Sequence, residues 1–267
     1  MKAKGTILTI LALLSCLFTV ANRSASQPRA IYQQMSEEQR IAFVALQTRS
    51  IARQISGRDY EFTPAFEVAI RNAVDAYVKR IGNGSSHDAR LILERGETVA
   101  PTLMRIFKAR NVSPLIGLYI PFVESEYVNV QSPNSMGAIG MFQFLPQTGA
   151  HYGLKTADLL DVEKSADAAA RYIAGGVDKF GEDPMKEALA LLAYNRGTTQ
   201  VEEDIANLVN EQNRACSICA LTEQTDKLDA GFQKESVYYV PRFFAAAIIG
   251  ENPRAFGLQM QPLSNLG

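Results

Sequence analysis

The chain has 267 residues, 47% hydrophobic and 21% charged, an ordinary globular composition with enough apolar surface for one large or two small packed units. Its formal net charge is -1 and its Lys and Arg are scattered, which excludes the basic footprint of a nucleic-acid-binding protein.

In chain order, residues 1–26 read as an export signal. Lys2 and Lys4 precede an apolar run over 7–21 that only Thr9, Ser15, Cys16 and Thr19 interrupt. Small residues at Ser24 and Ser26 place cleavage after Ser26, and the run is short for a bilayer span of about 20 residues. Removal takes away Lys2, Lys4 and Arg23 and no acid, moving the net charge from -1 to -4. Cys16 offers a second reading. Leu13-Leu14-Ser15-Cys16 resembles a lipoprotein processing site that would leave Cys16 as a lipid anchor, although Leu17, Phe18, Val20 and Ala21 continue the apolar run beyond it.

Residues 27–100 read as a helical N-terminal segment. Ser36-x-x-Gln39 is a capping box followed by Ile41, Val44, Ile51 and Ile55 on one helical face. Thr63-Pro64 opens a second helix with the stripe Phe66, Ile70, Ala73, Val74 and Tyr77, ended by Gly82-Asn83-Gly84. Two shorter helices are expected over 88–94 and 98–109. Ser113-Pro114 then opens a helix apolar nearly all round, Leu115 to Val123, with Pro121 inside it, and such a helix is buried. Three more helices are expected over 166–180, over 184–194 with Asp183 as cap, and over 235–249. No stretch alternates apolar and polar residues between hairpin turns, so the expected fold is all-α.

Glu124 is an acid at the carboxyl end of that apolar helix. Burial and the negative end of the helix dipole both disfavour its carboxylate, so its pKa should be raised, as suits a general acid near neutral pH. The plainer alternatives are a buried Glu paired with Arg171 or Arg242, or one turned out to solvent. Glu126 is expected to be solvated. The segment 135–144 sets Gln143, which can donate and accept hydrogen bonds, among glycines and apolar side chains. Ala193-Tyr194-Asn195-Arg196-Gly197 closes an apolar helix as a core tyrosine with an Asn/Gly cap. In Glu235-Ser236-Val237-Tyr238-Tyr239-Val240-Pro241 one tyrosine is expected to face a cleft and the other to be core. Cys216 and Cys219 form a Cys-x-x-Cys with three readings: a tight disulfide, a redox pair, or half a zinc site. Export favours the disulfide, since no second cysteine pair or histidine cluster completes a metal site, and His87 and His151 stand apart.

In this order and spacing the segments resemble the catalytic domain of soluble-type lytic transglycosylases, most closely the membrane-bound lytic murein transglycosylase D branch. The apolar helix ends in Glu124-Ser125. Ser135-x-Gly137-Ala138-x-Gly140-x-x-Gln143 follows, then Pro146-x-Thr148-Gly149 with Tyr152-Gly153-Leu154, Ala193-Tyr194-Asn195-x-Gly197, and Glu235-Ser236-x-x-Tyr239-Val240-Pro241. The match covers 101–257 and leaves 258–267 as a tail. It implies a lysozyme-like helical domain in which Glu124 alone protonates the oxygen between N-acetylmuramic acid and N-acetylglucosamine, then takes the C6 hydroxyl proton to close a 1,6-anhydro ring. Ser125, Gln143, Tyr194, Asn195 and Tyr239 would orient the sugar and hold Glu124.

Three departures stand out: one extra residue between Glu124 and Gly137, Phe142 where Trp is frequent, and Ser236 where Thr is usual; separately, no sugar-binding repeat is read after residue 257. The resemblance implies peptidoglycan glycan strands as partner, with cell-wall or secretion machinery as further partners. It implies no metal or cofactor, and a periplasmic location, with outer-membrane association a further reading. Rival functions are hydrolysis on the same scaffold, as in goose-type lysozymes, and a catalytically idle wall-binding protein.

Overall fold

Ser36 accepts from the Gln39 amide while the Gln39 side chain returns to the Ser36 amide, and this reciprocal cap starts α1 (Glu37–Ser56), which Gly57 ends in a left-handed turn. Thr63 caps α2 (Pro64–Val78) in the same way through the Phe66 amide. The computed structural model describes residues 31–267, so the expectations of a leader, of cleavage after Ser26 and of lipidation at Cys16 lie outside the described residues. Among those residues there are ten α-helices joined by short turns, and no strand beyond one isolated bridge between Ile139 and Phe144. The protein is all-α.

Where two short helices were expected there is one, α3 (Ala89–Ala109), which starts at Asp88 and runs through Pro101. Pro101 removes one donor from the ladder, but Ile92, Leu93, Ala100, Leu103 and Phe107 form one uninterrupted buried stripe that carries the helix across it. The division expected at residue 100 falls inside this helix. α4 (Pro114–Ser125) is buried from Leu115 to Phe122 and wedged between α3 and α10 (Val237–Glu251). Two glycines let it in: a Cβ on Gly117 would lie 2.4 Å from the Phe107 ring, and one on Gly250 of α10 would lie 2.3 Å from the Tyr119 hydroxyl.

Beyond α5 (Pro146–His151), α6 (Val162–Lys179) begins four residues earlier than expected, because Asp161 caps the Glu163 and Lys164 amides. α7 (Lys186–Arg196) begins later. Asp183 is not its cap; that carboxylate accepts from the Met185 amide and the Ser217 hydroxyl, 2.7 and 2.8 Å away. α8 (Thr198–Leu208) and α9 (Ser217–Glu223) were not expected. α10 follows a π-helical turn, Phe232–Ser236.

The N-terminal helices share the core of the rest. α2 lies along α10, Phe62 packs edge-on to Phe244 at 5.2 Å, and Tyr77 packs edge-on to Phe122 at 5.1 Å. Leu258 and Leu263 are also buried, and the turn holding Leu263 lies against α3 and α4.

Candidate active site

α4 delivers Glu124 in its last turn, at the end of eight consecutive buried residues. The Tyr239 hydroxyl, from α10, donates to Glu124 Oε1 at 2.7 Å. Burial pushes the Glu124 carboxyl up to about 7; the Tyr239 hydrogen bond and the charge of Arg242 oppose the shift, and the charge of Glu235 adds to it. Desolvation wins because the positive neighbour acts without contact: among the described residues no cation lies within ion-pair distance of Glu124. Arg171, the other expected partner, pairs with Asp167 at 3.1 Å and donates to the Tyr152 carbonyl at 2.8 Å. The side chain is partly buried, enclosed by protein yet not sealed from solvent.

Glu126 is not solvated as expected. It takes a left-handed conformation at the end of α4, and its carboxylate is gripped by Arg80 and His87, with Arg95 3.9 Å away. Only the folded chain brings the turn after α2 to this point, so no local signal could show it.

The segment 135–144 is built on Gly140, whose φ of +79° and 2.2 Å clearance from the Leu159 carbonyl to an ideal Cβ position admit no side chain. Ser125 Oγ donates to the Met141 carbonyl at 2.7 Å, and Tyr194 Oη donates to the Phe142 carbonyl at 2.8 Å. These two residues therefore stitch the segment to α4 and α7, and each hydroxyl has spent its proton on backbone. Gln143, itself left-handed, donates to the Gly140 carbonyl at 2.7 Å and accepts from Asn134 at 3.4 Å. Tyr194 stands on an aromatic floor with Phe144 and Tyr172, ring centroids 5.6 and 5.3 Å away.

Asn195 lies inside α7, with Gly197 as the cap, and joins that helix to the π-helical turn. It donates to Glu235 at 3.3 Å and accepts from Ser236 Oγ at 2.7 Å. Of the two adjacent tyrosines Tyr239 reaches Glu124, while Tyr238, expected in the core, is 55% exposed. Two residues not singled out as site residues emerge: Glu235, a second carboxylate beside Glu124, and Arg196, which pairs with Asp204 and Asp229 and ties α7 to α8 and to the start of the π-helical turn. Glu235 was visible within its motif; Asp229 carried no local signal. Cys216 and Cys219, both buried, are joined as a disulfide beside the Thr63 amide. Among the described residues no group of three or more His, Cys, Asp or Glu could hold a metal ion.

Fold and site together define an all-α protein that encloses one acid, hydrogen-bonded by Tyr239, between a buried helix, a glycine-built loop and a tyrosine-bearing helix. Residues 104–216 match the family described as Transglycosylase SLT domain. It is 27% identical over 157 residues to membrane-bound lytic murein transglycosylase D of Escherichia coli K12, covering 57% of this chain and 31% of that protein, and equally similar to the protein of the same name from Escherichia coli O6:H1 CFT073. The chain thus spans about a third of the length of these curated relatives. A solved structure of an inactive mutant of lytic transglycosylase Slt from Pseudomonas aeruginosa is similar with a TM-score of 0.49 and 20% identity, over 74% of this chain and 31% of that one.

Proposed function

We propose that the protein is an exported lytic transglycosylase that cuts peptidoglycan glycan strands between N-acetylmuramic acid and N-acetylglucosamine, with Glu124 as its only acid and base. The observation that carries this reading is the Glu124 carboxyl itself, with a pKa of about 7 and a hydrogen bond from Tyr239. An acid half-protonated near neutrality can give a proton and take one back within one turnover. In the first step Glu124 protonates the glycosidic oxygen, the C1–O bond breaks, and the substrate's acetamido group stabilises the sugar cation. In the second, the Glu124 carboxylate takes the proton of the C6 hydroxyl as that oxygen bonds to C1, so no water is consumed and the acid is restored. Arg242 and the Tyr239 hydroxyl stabilise the carboxylate between the steps. Gln143 and Asn195 present amides to the sugar, and Ser125 and Tyr194 act by fixing the loop that carries Gln143. The enzyme works in the periplasm, on peptidoglycan that cell-wall or secretion machinery also handles.

One observation favours a second reading: Glu235 bears on Glu124 electrostatically and is oriented by Asn195. A second carboxylate could activate water, as hydrolytic two-acid sites require. Mass spectrometry of sacculi digested by the purified protein separates the outcomes. Anhydro ends support the transglycosylase, reducing ends support hydrolysis through Glu235, and unchanged sacculi defeat both.

A further inference from the structure

α4 ends in an unusual way. Glu126 and Tyr127 are both left-handed, with φ of +52° and +59°, and neither is glycine. Such residues persist only where their surroundings hold them. The bonds that close the helix depend on that conformation: the Glu126 amide donates to the Phe122 carbonyl and the Tyr127 amide to the Pro121 carbonyl, each at 3.2 Å. Pro121 has no N–H of its own, so the last turn hangs from a ladder already missing a rung. Glu124 sits in that turn.

The Tyr127 hydroxyl fastens one side of this turn to the Leu118 carbonyl at 2.7 Å, and the N-terminal segment holds the other. Arg80, just beyond α2, pairs with Glu126 Oε1 and donates to the His87 carbonyl at 2.6 Å. His87 Nδ1 lies 2.6 Å from Glu126 Oε2. Arg95 of α3 donates to the Glu126 carbonyl at 2.9 Å and reaches the Ser86 carbonyl at 3.4 Å. Three side chains thus fasten the carboxylate and the backbone of one residue, two positions beyond the acid.

We propose that Glu126 is a positioning residue, and that the clamp closed on it by Arg80, His87 and Arg95 fixes the last turn of α4 and so aims Glu124 at its partner. The N-terminal helices are then part of the catalytic apparatus through this contact, not only a platform beneath it. The inference rests on the reading of Glu124 as the reacting acid. With the clamp released, the turn frays and Glu124 samples orientations away from Tyr239, which lowers kcat and leaves substrate affinity unchanged.

Three variants test it. Glu126→Gln keeps the shape and loses the charge; Glu126→Gly loses the carboxylate held by Arg80 and His87, keeps the carbonyl held by Arg95, and adopts the left-handed turn without strain, so it folds even if the other does not; Arg80→Met removes the opposite side. Amide hydrogen exchange at Glu124 and Ser125 should quicken about tenfold in each, with the amides of 115–120 unchanged. On isolated glycan strands kcat should fall about tenfold with KM within about twofold, since misplacement costs turnover rather than binding. Arg80→Met should add little to Glu126→Gln, because the two act through one contact. Exchange and kcat in Glu126→Gly within about twofold of the unmodified protein would overturn the proposal, since the turn would then hold without the carboxylate. The exchange measurement judges the clamp even if the protein cuts no glycan, an outcome that would defeat the proposed function instead.

Discussion

At the scale of single residues the argument turns on Glu124. A folded-state value of about 7 against an unfolded value of 4.5 means that the native protein binds a proton more tightly than the unfolded chain between those pH values. Stability from this residue is therefore fully present below the unfolded value and is lost as pH rises through about 7. Glu124→Gln should match the unmodified protein in thermal stability at acid pH and exceed it above neutrality, by at most about 3 kcal/mol at one pKa unit per 1.36 kcal/mol. Calorimetry across the range reads the difference, and equal stability at every pH would show that the carboxyl is well solvated. The same substitution should reduce turnover by at least ~10²-fold, the lower end for loss of general acid/base catalysis. In the unmodified protein kcat/KM should fall as pH rises through about 7, because the free enzyme must carry the proton before it meets substrate.

At the scale of elements, helix packing leaves two tests. Gly250→Ala would push a methyl group into the Tyr119 hydroxyl, which donates to Glu251 at 2.5 Å and cannot move without breaking that bond. Overpacking of this kind costs about 1–3 kcal/mol, and a melting temperature lower by several degrees is expected. An unchanged melting temperature would mean that α4 and α10 adjust their separation freely. The disulfide closes only a four-residue ring around the first turn of α9, so the Cys216→Ser, Cys219→Ser double variant should lose much less than the ~3 kcal/mol typical of longer loops. Loss of cooperative unfolding in that variant would show that burial beside α2 matters more than the ring.

At the scale of the whole molecule, the helices before residue 100 and the segment 104–216 that matches the transglycosylase family draw on one core. α10, which carries Tyr239, rests on α2; Phe62 packs against Phe244 of α10, and Tyr77 against Phe122 of α4. Deletion of residues 31–78 should therefore strip the apolar bed from α10 and abolish the cooperative thermal transition, monitored by near-ultraviolet circular dichroism. A truncated protein that melts cooperatively and retains the Tyr239 to Glu124 hydrogen bond would show that residues 79–267 stand alone.

By itself the sequence determined the all-α class, the caps of α1 and α2, the burial of α4 and the raised proton affinity of Glu124, because each follows from local order: cap residues, apolar period, an acid at an apolar helix end. It also marked Gln143, Tyr194, Asn195 and Tyr239 through their motifs. The continuity of α3 across Pro101, the fastening of Glu126, the exposure of Tyr238, and Glu235 beside Glu124 were decided only by the tertiary structure. A proline weakens a helix locally, and only the stripe packed against its neighbours decides whether the helix survives. A surface acid has no partner until distant turns are brought to it. Two adjacent tyrosines point about 100° apart on a helix, and which of them is buried depends on where the neighbouring helices lie.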